Sequence, residues 1–134
     1  MRVVPVPCLK DNFAYLKDRL RSCEEFLELP QATPNSDPSW FGFPITLRDA
    51  ADTRRVDLLT YLDQHKVGTR LLFAGNLTRQ PYMLGRNFRI SGELTRTDRI
   101  MNNTFWLGVY PGLNREMLDY SAEMLETFFG LHFD

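Results

Sequence analysis

The residue types best suited to chemistry are concentrated in an arginine-rich stretch between residues 67 and 100. This stretch holds six arginines but only two acidic residues, Glu93 and Asp98, although the formal net charge of the whole chain is −1. A guanidinium group presents a planar fork of donors that matches a carboxylate or a phosphate. The stretch therefore indicates either an anion-binding surface or arginines that pair with the acidic segment 101–134, which holds five acids and one arginine.

Other kinds of site are limited by the cysteine and histidine content. The chain has two cysteines, Cys8 and Cys23, and two histidines, His65 and His132. These are too few for a disulfide framework or for a four-cysteine zinc or iron–sulfur site within this chain, so no metal site is expected. The acidic total charge and the lack of a basic run interleaved with aromatics argue against nucleic-acid binding. No apolar run has the length of a membrane span, and a cytoplasmic protein is predicted.

The 134 residues are enough for one domain around one hydrophobic core. Apolar residues in a 3-4-3-4 spacing predict a first helix from Asp11 to about Glu28. Cys23 lies on this apolar stripe, which predicts a small buried hydrophobe and not a nucleophile. Alternating apolar residues then predict a strand over residues 41–47. Pro44 favours a sheet edge for this strand because proline lacks an amide hydrogen.

The rest of the chain predicts two helices and two strands around a long loop. The expected order is a helix over 54–66 capped by Asp52 or Thr53, a strand over 69–73, a loop over 74–97, a strand over 104–110 and a helix capped by Asn114. The inward residues expected on the two helices are Val56, Leu59 and Leu62, then Leu118, Ser121, Leu125 and Phe128. This order predicts a small α/β sandwich with helices on one face of a sheet.

Three motifs carry a resemblance to a known family. They run from Asp37 to Ile45, from Gly68 to Tyr82 and from Asp98 to Gly112. In this order they resemble the carboxyl-terminal domain of pyridoxamine-phosphate-dependent nucleotide-sugar 3-dehydrases, the CDP-4-keto-6-deoxyglucose-3-dehydrase type used in making 3,6-dideoxyhexoses of lipopolysaccharide O antigen. These enzymes belong to the sugar aminotransferase (DegT/DnrJ/StrS) branch of fold-type I pyridoxal-phosphate (PLP) enzymes.

The resemblance covers about residues 12–133 and implies that the chain is a fragment. It implies an atypical leader over residues 1–11, then one small α+β domain over 12–134, with a short, mostly antiparallel sheet and three helices. The family's large domain, which holds PLP or pyridoxamine phosphate and a [2Fe–2S] centre, has no counterpart here. The chain alone is therefore expected to hold no cofactor and no catalytic residue, and its activity as an enzyme stays open. The family also implies a nucleotide-sugar ligand, a homodimer and an iron–sulfur flavoprotein reductase as partner.

The resemblance also marks residues that would contact substrate or cofactor. They are Trp40 and Phe41, Arg99, and Arg70, Asn76, Arg79 and Gln80 on a strand end and the following loop. Each has an alternative explanation. Trp40 and Phe41 could be core aromatics, and alternation points Phe41 inward. Arg99 could pair with Asp98 or Glu93, and the loop residues could hydrogen-bond within their loop.

Two functions of different classes are therefore predicted. In the first, the chain is the small domain of a nucleotide-sugar dehydrase, silent alone, and supplies substrate positioning and dimer contacts. In the second, it is a freestanding module that binds a nucleotide-sugar or a partner protein without catalysis.

Overall fold

The computed structural model describes residues 6–131 and contains four α-helices and four strands in that range. In chain order they are α1 (Val6–Arg19), β1 (Leu27–Glu28), β2 (Phe43–Leu47), α2 (Arg55–Gln64), β3 (Thr69–Leu71), α3 (Thr95–Asn103), β4 (Thr104–Leu107) and α4 (Arg115–Phe128). No helix in this described range is long and apolar enough to cross a membrane.

The four strands form one sheet in the order β1-β2-β4-β3, and every neighbouring pair is antiparallel. The register places Ile45 of β2 opposite Phe105 of β4, and Thr69 of β3 opposite Leu107. The α+β class with an antiparallel sheet is therefore confirmed. Strands β2 and β4 are the two inner strands, and β4 lies between β2 and β3.

The hydrophobic core lies on one face of this sheet, under α1, α2 and α4. Strand β2 alternates as predicted, because Phe43, Ile45 and Leu47 are buried while the residues between them are half-buried. The helices contribute mainly leucines, such as Leu16 and Leu125, both fully buried. Three helices on one face agree with the sequence-based expectation.

The first helix differs from its prediction at both ends. It already includes Val6, and it gives way at Leu20 to a short 3-10 helix that ends at Cys23. Leu27, predicted to be helical, lies in β1 instead. The predicted stripe is buried along its whole length, because the tighter turn and the strand keep the same residues facing the core. Cys23 is fully buried as predicted, and burial raises the pKa of its thiol to about 11.

The prediction that Pro44 puts its strand at the sheet edge is wrong. The strand is an inner one, but Pro44 lies where no neighbouring strand pairs with it on its nitrogen side. Strand β2 lies between β1 and β4. However, β1 pairs only with Thr46 and Leu47. The amide of Arg48 donates to the carbonyl of Phe26 at 2.8 Å. Backbone amides of every second residue in a strand point to the same side, so the nitrogen of Pro44 also faces this side, beyond the end of β1. Pro44 therefore removes no hydrogen bond that a neighbouring strand could make.

Helix α2 corrects two details of the prediction. Its N-cap residue is Arg54, without a side-chain cap, in place of Asp52 or Thr53. The inward residues are Leu58 and Leu62, whereas Val56 is 56% exposed. Leu59, also predicted inward, is half-buried against the core.

Helix α4 begins as predicted, with Oδ1 of Asn114 accepting a hydrogen bond from the amide of Met117 at 2.9 Å. Leu118 and Leu125 are buried on its inner side as expected. Ser121 and Phe128 are only half-buried.

Helix α3 was not predicted, and it lies outside the core. None of its residues is buried, so it lacks the apolar stripe that makes a helix recognisable in sequence. It packs against β2 and β4, and an ion pair of 2.9 Å joins Arg99 to Glu28, which faces away from the core on β1. The predicted loop therefore ends at Leu94. Between residues 74 and 94 it is irregular apart from two short 3-10 turns.

Candidate functional site

The loop of residues 74–80 is fixed to α3 through Asp98. Asn76 is 2% exposed, and its Oδ1 accepts from the amide of Thr78 at 3.0 Å and from the Thr78 hydroxyl at 2.7 Å. Its Nδ2 donates to Oδ1 of Asp98 at 2.6 Å. Asn76 therefore closes the turn of its own loop and links that turn to the helix.

Arg79 binds the same carboxylate through two nitrogens on one edge of its guanidinium group. Its Nε donates to Oδ1 of Asp98 at 2.6 Å, and its Nη2 donates to Oδ2 at 2.5 Å. These hydrogen bonds, followed by the one from Asn76, lower the pKa of Asp98 to about 2 and keep it ionised. The same carboxylate raises the pKa of Arg79. The three side chains form what we call the Asp98 cluster: Asn76, Arg79 and Asp98.

Two further contacts close the loop around this cluster. Nε2 of Gln80 donates to the carbonyl of Ala74 at 2.5 Å, across the mouth of the loop. Gly75 has a φ of +62°, and a Cβ at that position would overlap the side chain of Met101 on α3. Glycine is therefore required there by both conformation and space. The conformation of the loop is therefore stabilised by hydrogen bonds to Asp98, by the hydrogen bond of Gln80 and by packing against Met101.

A cavity of about 490 Å³ lies beside the Asp98 cluster. Its other walls come from the irregular segment 88–94, with the apolar side chains Phe88 and Ile90 and the carboxylate of Glu93. A volume of this size with apolar walls and a few polar groups is typical of a small-molecule site.

A second group of predicted residues lies on the sheet face opposite the core, around Trp106. Arg70 on β3 is directly across from Trp106, and it has no ion-pair partner among residues 6–131. Phe41 is 72% exposed and meets the indole edge-on at 4.6 Å between ring centroids. The inference that alternation points Phe41 inward is therefore wrong, because β2 begins only at Phe43.

Two further aromatic residues of this group, Trp106 and Phe73, were not among the predicted contact residues. The indole nitrogen of Trp106 is buried, and it is the one buried side-chain nitrogen or oxygen in the described part of the chain without a hydrogen-bond partner. Phe73 is 76% exposed, has a φ of +47° and contacts the indole edge-on at 5.4 Å. The alternation of Phe105 and Leu107 could have identified Trp106 as outward-facing. Nothing in the sequence marks Phe73.

The remaining two predicted residues lie apart from both groups. Trp40 stacks on Phe13 with centroids 4.6 Å apart and packs against the core. Arg99 pairs with Glu28, and not with either alternative, Asp98 or Glu93. The structure thus brings Asn76, Arg79 and Gln80 together in one loop, places Arg70 and Phe41 each beside Trp106, and leaves Trp40 and Arg99 separate.

The residues around these groups do not by themselves fit a PLP site. PLP enzymes hold the cofactor through a lysine amine. Lys10 is paired with Asp37, and Lys66 lines a different cavity described below. No lysine lines the cavity beside the Asp98 cluster. Within residues 6–131, no three His, Cys, Asp or Glu side chains are placed to hold a metal ion.

An apolar groove of about 500 Å³ lies at the opposite end of β4. Its walls include Tyr110, Met117 and Tyr120, each at least 43% exposed, and Lys66 and Glu116 also line it. None of the predicted contact residues lines this groove. It is therefore a separate surface from the Asp98 cluster.

Comparison with known sequences finds a family model and two relatives that this chain matches. Residues 9–126 match the model of the DegT/DnrJ/EryC1/StrS aminotransferase family. The lipopolysaccharide biosynthesis protein RfbH of Salmonella typhimurium is 63% identical over 124 residues, which are 92% of this chain and 28% of RfbH. A dTDP-4-dehydro-2,6-dideoxy-D-glucose 3-dehydratase of Saccharopolyspora spinosa is 44% identical over 117 residues, 87% of this chain and 25% of that enzyme.

Solved structures show the same fold. The GDP-4-keto-6-deoxy-D-mannose-3-dehydratase of E. coli, with bound hydrated PLP, superposes with a TM-score of 0.80 at 20% identity, over 90% of this chain and 30% of that one. DesV of S. venezuelae, in complex with a ketimine intermediate, gives 0.79 at 19% identity, over 92% and 32%. The chain spans about a third or less of each relative.

Proposed function

Because the chain belongs to the DegT/DnrJ/EryC1/StrS aminotransferase family, we propose that it is the small domain of a PLP-dependent nucleotide-sugar 3-dehydratase of O-antigen lipopolysaccharide synthesis. The observation that carries this proposal is the 63% identity to RfbH over 92% of the chain. We propose that the chain supplies positioning residues of such an enzyme, with the catalytic residues in the other domain.

The proposed role of the chain is to position a nucleotide-sugar of the CDP-4-keto-6-deoxyglucose type. Arg70 supports this role because it is exposed and has no ion-pair partner in the described range, and because it lies across from Trp106, the indole that Phe41 also contacts. Asn76, Arg79 and Gln80 border the cavity or its loop, and Trp40 and Arg99 are proposed contacts from the family resemblance alone. A guanidinium suits the pyrophosphate, and an aromatic face suits the base or sugar ring.

We place the other parts of the proposed enzyme in the part of its relatives that these 134 residues do not match. When bound there, PLP or pyridoxamine phosphate supplies electron-sink chemistry for loss of the 3-hydroxyl. We place a [2Fe–2S] centre there too, with a flavoprotein reductase as electron donor, and propose a cytoplasmic homodimer.

A chimera tests this function. The segment of RfbH that matches this chain is replaced by this chain, and loss of the 3-hydroxyl from CDP-4-keto-6-deoxyglucose is measured. We expect turnover within about tenfold of intact RfbH, no turnover by the 134-residue chain alone, and a reduced rate for the chimera with Arg70→Ala. A folded chimera that binds PLP but has no turnover, or turnover by the isolated chain, would contradict the proposal.

The apolar groove beside Tyr110 supports the alternative, a freestanding interaction module. It is exposed and lies away from every predicted ligand contact. Calorimetric titration of the isolated chain with CDP separates nucleotide-sugar binding from interaction with a partner protein. CDP binding that is weakened by Arg70→Ala favours a nucleotide-sugar ligand, whereas absence of CDP binding together with a stable protein complex through the groove favours a protein-interaction module.

A further inference from the structure

Asp98 was not among the predicted contact residues, yet it accepts every hydrogen bond that joins the loop of residues 74–80 to α3 through Asn76 and Arg79. We propose that Asp98 is a positioning residue: it fixes this loop, so that Asn76 and Arg79 act on a ligand through the loop's shape and not by touching it. The ligand part of this inference rests on the proposed function. The loop part stands on the geometry alone.

Arg79 and Asn76 already use the donors that face Asp98. Arg79 places Nε and Nη2 on the carboxylate at 2.6 and 2.5 Å, which is the bidentate arrangement it would need for a phosphate. Asn76 is 2% exposed, and both ends of its carboxamide are bonded within the cluster. Asn76 cannot turn toward a ligand without breaking the cluster, and Arg79, although its side chain is 60% exposed, has its Nε–Nη2 edge held on Asp98.

A phosphate that bound the same edge of Arg79 would have to displace Asp98. The Asp98 side chain is 23% exposed, and its displaced carboxylate would remain close to the incoming anion. Two like charges at that distance repel each other, and Nδ2 of Asn76 would keep the carboxylate in place. A single exposed ion pair would be weak, but here the buried amide of Asn76 shares the same acceptor.

Hydrogen exchange on the 134-residue chain tests the loop part. In Asp98→Asn, we expect the amides of Thr78, Arg79 and Gln80 to exchange about tenfold faster or more, because the charged acceptor is lost. Amides of α4 should be unchanged. Asp98→Ala, which removes the acceptor altogether, should give at least the same increase. Glu93→Gln is the matched control, because it neutralises another acid of the same cavity outside the cluster.

Unchanged loop exchange in both Asp98 variants, or an equal increase in Glu93→Gln, would overturn the inference. Additivity is a further readout: Arg79→Ala and Asp98→Asn should together accelerate exchange no more than Asp98→Asn alone, because Asp98 is the acceptor that Arg79 binds. Fully additive effects would show that the two residues hold the loop separately.

Titration with CDP tests the ligand part in the same variants. If Asp98 positions the loop, Asp98→Asn weakens CDP binding by about tenfold. If Arg79 is a ligand contact restrained by Asp98, the same change frees the guanidinium and strengthens binding, which would overturn the proposal. Failure of the unmodified chain to bind CDP would count against the proposed function, and exchange alone would then decide the role of Asp98.

Discussion

Gly42 lies directly against the indole of Trp106, so closely that a Cβ on Gly42 would be 2.5 Å from Cε3 of the ring. Phe41, the neighbour of Gly42, meets the same indole edge-on. The segment that leads into β2 is therefore shaped by a side chain of β4. This packing fixes the entry to the strand on the face where Arg70 and Phe73 also lie.

Gly42→Ala should destabilise the protein by about 1–3 kcal/mol, because the added methyl group has no room unless Trp106 moves. The measurement is the free energy of unfolding from urea denaturation. Gly68→Ala is the matched control, since a Cβ there meets nothing within 4 Å, and it should change stability by less than about 0.5 kcal/mol. Equal effects of the two changes would refute the packing argument.

Asn12 provides a second test, since its buried amide faces three backbone carbonyls. Nδ2 lies 3.3–3.4 Å from the oxygens of Val109, Tyr110 and Leu113. Asn12→Ala should cost about 1–3 kcal/mol. Asn12→Asp should cost more at pH 7, because a carboxylate would face oxygen acceptors, and the difference should shrink at low pH as it becomes protonated.

Urea denaturation of both Asn12 variants at pH 7 and at pH 4 gives the comparison. An Asp variant as stable as the Ala variant at pH 7 would show that the carboxamide does not face these carbonyls in solution.

Glu126 is a buried carboxylate that connects α4 to the first helix and its 3-10 extension. It accepts from the Ser22 hydroxyl at 2.8 Å and from Arg19 at 3.4 Å. Glu126→Gln should reduce stability by about 1–3 kcal/mol, because a charged partner is lost in a buried place. Glu123→Gln, an exposed position on the same helix, should change it by less than about 0.5 kcal/mol. Thermal unfolding of the two variants side by side is the measurement, and indistinguishable midpoints would count against a role for Glu126.

The lowered pKa of Asp98 predicts that the stability of the protein depends on pH in the acid range. Its pKa is lowered from 3.8 to about 2, first by the hydrogen bonds of Arg79 and then by that of Asn76. A carboxyl whose pKa is lower in the folded state adds stability that is complete above its unfolded pKa and is lost as the pH falls through its folded pKa. The stability difference between the unmodified protein and Asp98→Asn should therefore be constant above about pH 4 and decline toward pH 2.

NMR titration of the Asp98 carboxyl carbon provides the direct measurement. A midpoint at the ordinary value of 3.8 would mean that Arg79 does not hold the carboxylate in solution.

Features set by local sequence were predictable. The alternation of Phe43, Ile45 and Leu47 identifies β2, and Asn114 marks the start of α4, because both signals act within a few residues. The buried state of Cys23 follows from its place on an apolar stripe. The fold class follows from the order of such elements and from the family resemblance.

Features set by distant contacts were not predictable. Helix α3 has no buried residue of its own, and its end is held from outside, where Nη1 of Arg55 donates to the carbonyls of Met101 and Thr104 at 2.5 and 2.9 Å. The partner of Arg99 is 71 residues away, on β1. The arginine-rich stretch indicated an anion-binding surface, but spacing alone does not reveal that Asp98 is the anion that Arg79 binds.

The contacts between α1 and α4 also bear on the order in which the protein can fold. The hydroxyl of Tyr15 donates to Asp119 at 2.7 Å although 104 residues separate them, and Arg19 reaches the same carboxylate at 3.0 Å. During synthesis, α1 leaves the ribosome long before α4 is made, so the side of α1 that meets α4 stays uncovered until residues 115–128 have emerged. Such long-range closure slows folding and exposes the chain to aggregation. Truncation before α4 should therefore yield a chain that needs a chaperone.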